Sequence, residues 1–154
     1  MEIERKFLCT VPSFDLKGFK SAHIIQYYIS TDPVIRIRRT DAGFYLTVKG
    51  KGEIAREEFE MPLTENQFLC LREKADYPPI DKTRYFIPLE NALTAELDIY
   101  YGALSGLLTV EVEFDSLSAA ESFTPPEWFG RDISGDNRYK NASLYINGMP
   151  EKIK

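Results

Sequence analysis

The sequence contains few of the residues on which the commonest metal and nucleophilic sites depend. Its 154 residues include one histidine, His23, and two cysteines, Cys9 and Cys70. A single histidine excludes zinc sites built on several histidines and leaves little room for a Ser-His-Asp triad. The two cysteines form no metal-type spacing, so we expect reduced thiols in a cytoplasmic protein.

Other absences limit the partners. The net charge is −5, which argues against the broad positive surface that nucleic acids require, so we predict no nucleic-acid partner. No apolar run approaches the length of a membrane span, and the charged residues directly after Met1 do not resemble a secretory signal, so we predict no membrane association. The segment "KGKGE" lacks the GxxxxGK[ST] pattern of a P-loop, so any phosphate would be bound by side chains.

The chain is long enough to bury a core, and 44% of its residues are hydrophobic, including nine tyrosines and ten phenylalanines. We predict a single domain over residues 1–154, of the α+β class and mainly antiparallel β. Alternation with period two predicts strands at residues 2–7, 23–30, 34–40, 44–50, 54–63, 79–89, 94–102 and 107–115. N-cap residues and helical spacing predict helices at residues 64–75, 116–121 and 140–146.

Nearly every predicted strand carries charged side chains at alternate positions and apolar side chains between them. Alternation places the charges of each strand on one of its faces. The charged sets are Glu2/Glu4/Lys6, Arg36/Arg38, Lys49/Lys51, Arg56/Glu58/Glu60, Lys82/Arg84, Glu96/Asp98 and Glu111/Glu113. Two architectures fit this alternation: a sheet with a solvated charged face, and a closed barrel with the charges inside.

The distribution of sign favours the closed barrel. Some strands carry only basic residues on the charged face, such as Arg36 and Arg38, and others only acidic ones, such as Glu111 and Glu113. A solvated face would mix the signs, and like charges along one strand repel each other unless a ligand lies between them. We therefore predict a closed barrel with a charged interior, its apolar outer face covered by a few flanking helices and by the C-terminal segment.

Carboxylates beside lysines and arginines indicate one kind of ligand. Carboxylate oxygens hold hard divalent cations such as Mg²⁺ or Mn²⁺. Lysine and arginine bind phosphate oxygens, arginine often through two hydrogen bonds at once. These are the groups that metal-assisted phosphoryl transfer requires, so the residues predict chemistry on a small molecule with several phosphates.

The segment "EIERKF", directly after Met1, resembles the ExExK signature of the CYTH superfamily, the triphosphate tunnel metalloenzymes. The resemblance continues in order through "RIR", "LTVKGKG", "REEFE", "DKTRY", "ELDIYYG", "LTVEVEF" and "DNRYKN", and thus covers nearly the whole chain. It implies an eight-stranded antiparallel tunnel and a divalent-metal-dependent enzyme that acts on a triphosphate. Similar tunnel proteins pair as homodimers, which sets the same expectation here.

The resemblance also implies roles for individual residues. The implied metal ligands, for Mg²⁺ or Mn²⁺, are Glu2, Glu4, Glu60, Asp98, Glu111 and Glu113. The implied triphosphate ligands are Lys6, Arg36, Arg38, Lys49, Arg56, Lys82 and Arg84. The implied catalytic residues are Glu4, Lys6, Lys82 and Glu111, with a metal-activated water as nucleophile, a glutamate as proton acceptor and the lysines stabilising charge.

Several activities are compatible with such a tunnel. The short chain and its late segment "PPEWFGRDISGDNRYKN" resemble the compact bacterial members, which implies an inorganic triphosphatase that cuts tripolyphosphate to pyrophosphate and phosphate. A class IV adenylyl cyclase and a nucleoside or thiamine triphosphatase are the alternatives, although no stretch is assignable to base recognition. A non-catalytic polyphosphate-binding module, or a barrel with an internal lattice of salt bridges, would show no metal-dependent turnover.

Overall fold

A computed structural model describes residues 3–50 and 57–151 of the chain. Within these ranges the strands are β1 (Ile3–Cys9), β2 (Lys20–Thr31), β3 (Val34–Thr40), β4 (Gly43–Lys49), β5 (Glu58–Leu63), β6 (Ile80–Pro88), β7 (Thr94–Tyr101), β8 (Leu108–Phe114) and β9 (Phe129–Asp132). The α-helices are α1 (Glu65–Arg72), α2 (Leu117–Ser122) and α3 (Asn141–Asn147). None of the helices in these ranges is long and apolar enough to cross a lipid bilayer.

The strands form one sheet in the order β5-β4-β3-β2-β6-β7-β8-β1-β9, with every neighbouring pair antiparallel. The predicted α+β class with a mainly antiparallel sheet is confirmed. Two details differ from the predicted eight-stranded closed barrel. Over the described residues the sheet has nine strands, and no ladder of hydrogen bonds joins β5 to β9 to close it.

Strand β9 is the element that the sequence pattern did not reveal. It pairs with β1 at Phe7↔Asp132 and Cys9↔Phe129. With only four residues it is too short to show an alternation, and it lies in a segment rich in proline and glycine. The close approach of the two strands favours a glycine, because a Cβ atom at Gly130 would lie 3.0 Å from the carbonyl oxygen of Leu8.

The main core lies on the apolar face of the sheet. Its centre consists of side chains that are completely or almost completely buried, from β1, β7 and β8: Phe7, Ala95, Leu97, Val110 and Val112. Helix α2 and the rings of Phe123, Trp128 and Phe129 pack over this centre. Burial of these side chains provides most of the stabilisation, at about 25 cal/mol per Å² of apolar surface.

Helix α1 covers another part of the apolar face. Its N-terminus is a capping box, in which the Thr64 hydroxyl accepts from the Gln67 backbone N–H and the Gln67 side chain accepts from the Thr64 backbone N–H. The reciprocal pair satisfies two backbone donors that a helix leaves open. The helix then buries Phe68, whose ring packs against Tyr27 and Phe44 of the sheet.

The C-terminal segment is predicted to cover the outer apolar face. Helix α3, which belongs to that segment, does not do so. It packs against the other face of the sheet, where Leu144 and Tyr145 contact residues that alternate with the apolar core positions. The resulting end cluster consists of Tyr28, Ile80, Tyr100, Leu104, Leu107, Ile133, Tyr139, Leu144 and Tyr145. The physical reason is that β2, β6 and β7 carry apolar or aromatic residues at one end of their charged faces, and these need a cover.

The two cysteines are expected to react very differently with thiol reagents. Cys70 is exposed on α1, whereas Cys9 is half-buried, and burial followed by the nearby charge of Asp98 raises the pKa of Cys9 to about 12. At pH 8 roughly one Cys9 thiol in 10⁴ is then ionised, and the thiolate is the reactive form. Titration with a chromogenic disulfide should count one thiol in the native protein and two after denaturation; two prompt equivalents in the native state would contradict the burial of Cys9.

Candidate active site

The strand register collects the charged side chains on one side of the sheet, here termed the charged face. Directly opposite residues share a face, and Glu4 lies opposite Glu113, while Glu111 lies between Lys6 and Glu96. Of the predicted site residues, the charged face contains Glu4, Lys6, Arg36, Arg38, Lys49, Glu60, Lys82, Arg84, Asp98, Glu111 and Glu113. The predicted ligands Glu2 and Arg56, and the neighbouring Lys51, lie outside the described residues.

Carboxylates are concentrated on three adjacent strands, β7, β8 and β1. Glu96, Glu111, Glu113 and Glu4 follow one another across these strands. Burial raises the pKa of Glu96; Arg84 opposes this shift, and the charges of Glu111, Asp98 and Glu113 add to it. A bound cation would relieve the repulsion that the neighbouring carboxylates exert on ionised Glu96.

Cationic side chains occupy the next strands of the sheet. Lys82 and Arg84 lie on β6, Arg36 and Arg38 on β3, and Lys49 on β4. Burial and then the charges of Arg36 and Arg84 lower the pKa of Arg38 to about 10. A buried cation such as Arg38, whose cationic neighbours repel it, favours an anion nearby, because the anion offsets the repulsion.

A buried ion triad lies where the acidic and basic strands meet. Lys82 and Asp98 are both 0% exposed. Lys82 Nζ lies 2.9 Å from Asp98 Oδ2, while Arg84 donates through Nε to Oδ1 at 2.8 Å and through Nη2 to Oδ2 at 2.9 Å. Burial lowers the pKa of Lys82 to about 8 against the opposing charge of Asp98. Burial alone would raise the pKa of Asp98, but its two cationic partners outweigh that effect and lower it to about 2.

This geometry does not favour Asp98 as a metal ligand. Both of its carboxylate oxygens already accept charge-assisted hydrogen bonds from Lys82 and Arg84, so a metal would have to displace them. Glu96, two residues earlier on the same face, has a side chain that is 32% exposed and an ion pair to Arg84 Nη1 at 3.0 Å. Glu96 also lies directly opposite Glu111, which makes it the better oxygen donor of the two.

The arginines of β3 are held differently. Arg38 donates through Nε at 3.0 Å and Nη2 at 2.8 Å to the carbonyl oxygen of the Gln26 side chain, whose amide nitrogen donates to the Tyr28 hydroxyl at 3.1 Å. Gln26 is 0% exposed. The Nε atom of Arg36 is buried and has no hydrogen-bond partner within the described residues. An orphaned cationic donor of this kind fits the oxygen of an anion.

The far edge of the charged face carries the remaining predicted residues. Glu60 on β5 accepts a hydrogen bond of 3.4 Å from the Thr47 hydroxyl, and Lys49 lies opposite Glu58. Five strands of the sheet order lie between Glu60 on β5 and the carboxylates of β8. No three His, Cys, Asp or Glu side chains form a ready-made metal cage in residues 3–50 and 57–151. A site that relies on one or two carboxylates and on substrate phosphates is the usual arrangement for Mg²⁺.

The profile of the CYTH domain matches residues 1–135 of this sequence. The chain belongs to the CYTH family. The inorganic triphosphatase of Nitrosomonas europaea is 38% identical over 149 residues, which cover 95% of this chain and 97% of that protein. The inorganic triphosphatase of Acetivibrio thermocellus is 33% identical over 157 residues, with coverage of 95% and 94%.

Solved structures of CYTH proteins agree with this membership. The crystal structure of the inorganic triphosphatase NE1496 superposes with a TM-score of 0.76 at 36% identity, covering 95% of each chain. The protein HpAC1 from Hippeastrum superposes with a TM-score of 0.57 at 18% identity, over 79% of this chain and 83% of that one. The second likeness supports the fold alone.

Within this CYTH domain, three polar residues of the charged face were not among the predicted site residues. Gln26 and Thr47 are almost completely buried there, and Glu96 joins the carboxylates. Glu96 and Thr47 did share the alternation with predicted residues, so the pattern contained a signal for both. Gln26 had no such signal, because its neighbours at spacing two, Ile24 and Tyr28, are apolar or aromatic.

Proposed function

We propose that this protein is a divalent-metal-dependent triphosphatase that hydrolyses inorganic tripolyphosphate to pyrophosphate and phosphate. The observation that carries the proposal is the charged face, on which adjacent carboxylates border the buried Lys82 and the largely buried Arg84. Two relatives that are more than 30% identical over nearly their whole length are inorganic triphosphatases. A face of this composition suits a substrate with several phosphates and no other group to recognise.

The proposed metal site consists of oxygen donors on three neighbouring strands. Glu4, Glu111 and Glu113 are retained as ligands, Glu96 is added, and Asp98 is assigned to the buried triad instead. Glu2, which lies outside the described residues, and Glu60 at the far edge of the charged face remain proposed ligands. A hard cation such as Mg²⁺ or Mn²⁺ bound there supplies charge neutralisation on the phosphates and lowers the pKa of water.

The proposed phosphate site consists of the cations on the other strands. Arg36 offers its unpartnered buried Nε, and Arg38 is held in place by Gln26. Asp98 holds Lys82 and Arg84, so these groups are already oriented and lose little freedom when substrate binds. Lys49 and Arg56 complete the proposed set.

Within this site, each catalytic side chain has a defined task. Lys6 and Lys82 stabilise the negative charge that develops on the transferred phosphoryl group and the leaving pyrophosphate. Glu4 and Glu111 are the candidate acceptors for the proton of the attacking water.

The test is phosphate release from tripolyphosphate, ATP and thiamine triphosphate, each measured with Mg²⁺, with Mn²⁺ and with EDTA. We expect rapid, metal-dependent phosphate release from tripolyphosphate, and much slower release from ATP and from thiamine triphosphate. No release from any substrate by a folded protein would contradict the proposal. Formation of cyclic AMP from ATP would indicate a cyclase instead.

Two further expectations belong to this proposal. A cytoplasmic location fits the small-molecule substrate and the reduced thiols that the sequence predicts, and cell fractionation tests it. A homodimer is expected from the pairing of similar tunnel proteins. Light scattering coupled to size-exclusion chromatography distinguishes a mass of 17.7 kDa from twice that value.

A further inference from the structure

The chain after helix α3 turns back and fastens itself to the segment that precedes the helix. Gly148 has a φ of +72°, in the region that favours glycine, and reverses the chain. Met149 then packs against the end cluster. This turn brings the carboxylate of Glu151 to the side chains of residues 131–139.

Glu151 accepts three polar contacts there. The Tyr139 hydroxyl donates to Oε2, and Arg131 Nη2 lies 2.6 Å from the same oxygen. Arg138 Nη2 lies 3.5 Å from Oε1. The arginines are half-exposed, so their ion pairs are weak by themselves. Tyr139 is 3% exposed, and a hydrogen bond from a buried hydroxyl to a carboxylate is one of the stronger kinds.

Tyr139 in turn holds the charged face. Its backbone carbonyl accepts a hydrogen bond of 2.8 Å from Lys6 Nζ, the lysine of the ExExK segment. The same ammonium group lies 3.6 Å from Glu111 Oε1. One of its three donor directions is thus occupied by the Tyr139 carbonyl, which leaves donor capacity for a phosphate oxygen.

The backbone of Lys6 is fixed to the same segment. Ile133 N–H donates to the Lys6 carbonyl at 2.8 Å, and the Lys6 N–H donates to the Ser134 hydroxyl at 2.8 Å. The segment therefore determines where the Lys6 stem begins and, through the Tyr139 carbonyl, where its ammonium group lies. Of these contacts, only the hydrogen bond from the Lys6 ammonium group to the Tyr139 carbonyl depends on the orientation of Tyr139.

We propose that Glu151 is a positioning residue for Lys6: by holding the Tyr139 hydroxyl, it fixes the Tyr139 carbonyl that orients the Lys6 ammonium group. The proposal rests on the proposed triphosphatase function for its kinetic effect, but not for the position of Lys6. Loss of Glu151 removes the acceptor of the Tyr139 hydroxyl and the carboxylate that Arg131 and Arg138 share. Lys6 then samples other orientations, so its contact to a phosphate oxygen of the bound substrate is made less often and the substrate binds more weakly.

The kinetic test compares Glu151→Ala, Tyr139→Phe and the double variant with the unaltered protein. We expect each single variant to raise the KM for tripolyphosphate about tenfold, and the double variant to be no worse than either. In a Lys6→Ala background Glu151→Ala should have no further effect. The matched control is Glu73→Ala, which removes one exposed carboxylate at the C-terminal end of α1 and should leave KM unchanged. A merely structural role would reduce the active fraction, lowering kcat at constant KM, and would overturn the proposal.

A second measurement does not depend on enzymatic activity. Acetylation of Lys6 by an amine-reactive ester, followed by mass spectrometry, reports how firmly its ammonium group is held. We expect Lys6 to be modified several-fold faster in Glu151→Ala and in Tyr139→Phe, with the rate for the buried Lys82 unchanged. An unchanged Lys6 rate in both variants would overturn the positioning proposal, whether or not tripolyphosphate is hydrolysed. If the unaltered protein does not hydrolyse tripolyphosphate but its Lys6 is still acetylated more slowly than in the variants, only the proposed function is contradicted.

Discussion

Replacing Glu111 by glutamine is expected to lower metal-dependent phosphate release from tripolyphosphate by about 10²- to 10³-fold. Glu111 is the central carboxylate of the charged face, since it lies opposite Glu96 on one side and Lys6 on the other. Glutamine keeps the shape of the side chain but removes the charge that a divalent cation needs. The loss should be partly recovered at high metal concentration if the defect is in metal binding.

The control for this substitution is Glu121→Gln, an exposed residue on α2. It carries the same chemical change and should leave the rate within a factor of about two, because isolated surface charges contribute little. The rate is measured as phosphate release with Mg²⁺ or Mn²⁺ in a titration. A Glu111→Gln protein with the unaltered rate and metal requirement would show that the metal is held elsewhere.

Replacing Asp98 by asparagine is expected to destabilise the fold by about 3–5 kcal/mol, the cost of leaving a buried ion group without its partner. Asp98 is 0% exposed and accepts hydrogen bonds from both Lys82 and Arg84. Asparagine leaves two buried cations with one neutral acceptor. Urea unfolding followed by circular dichroism measures the loss as a lower midpoint at constant slope.

Glu96→Gln is the informative comparison for Asp98→Asn. The Glu96 side chain is one-third exposed and forms one ion pair with Arg84, so its loss should cost less than about 1 kcal/mol. We expect this variant to need a higher metal concentration for half-maximal activity instead. The opposite outcome would be an Asp98→Asn protein that is stable but needs a higher metal concentration for half-maximal activity. It would restore Asp98 as the metal ligand.

The sequence predicted the face of each strand better than the contacts between strands. Alternation placed Arg36, Arg38, Lys82 and Arg84 on one face, and the register agrees with that placement for all four. The pattern did not show that Asp98 is saturated by Lys82 and Arg84 while Glu96 is not. Both acids lie at alternate positions of the same strand and carry the same charge. Only their burial distinguishes them, since Asp98 is 0% exposed and the Glu96 side chain is 32% exposed.

Local segments without a repeating pattern were the other gap. Strand β9 is four residues long, so its existence depends on the ladder that β1 offers and on the missing side chain of Gly130. Helix α3 was predicted over residues 140–146 and is found at Asn141–Asn147. The pattern did not predict that it packs on the same side of the sheet as the charged face. Its position depends on the aromatic residues Tyr28 and Tyr100, which lie far from it in sequence.

By itself, the sequence determined the strand faces, the family and the chemical class of the ligand, because alternation and charge are properties of neighbouring residues along the chain. Tertiary structure alone decided which charges are neutralised within the protein and which remain for a ligand. It also brought Glu151 to Tyr139, 12 residues away along the chain, and Tyr139 to Lys6, 133 residues away. The reason is that burial and pairing depend on distances between remote segments, and these exist only once the sheet has formed.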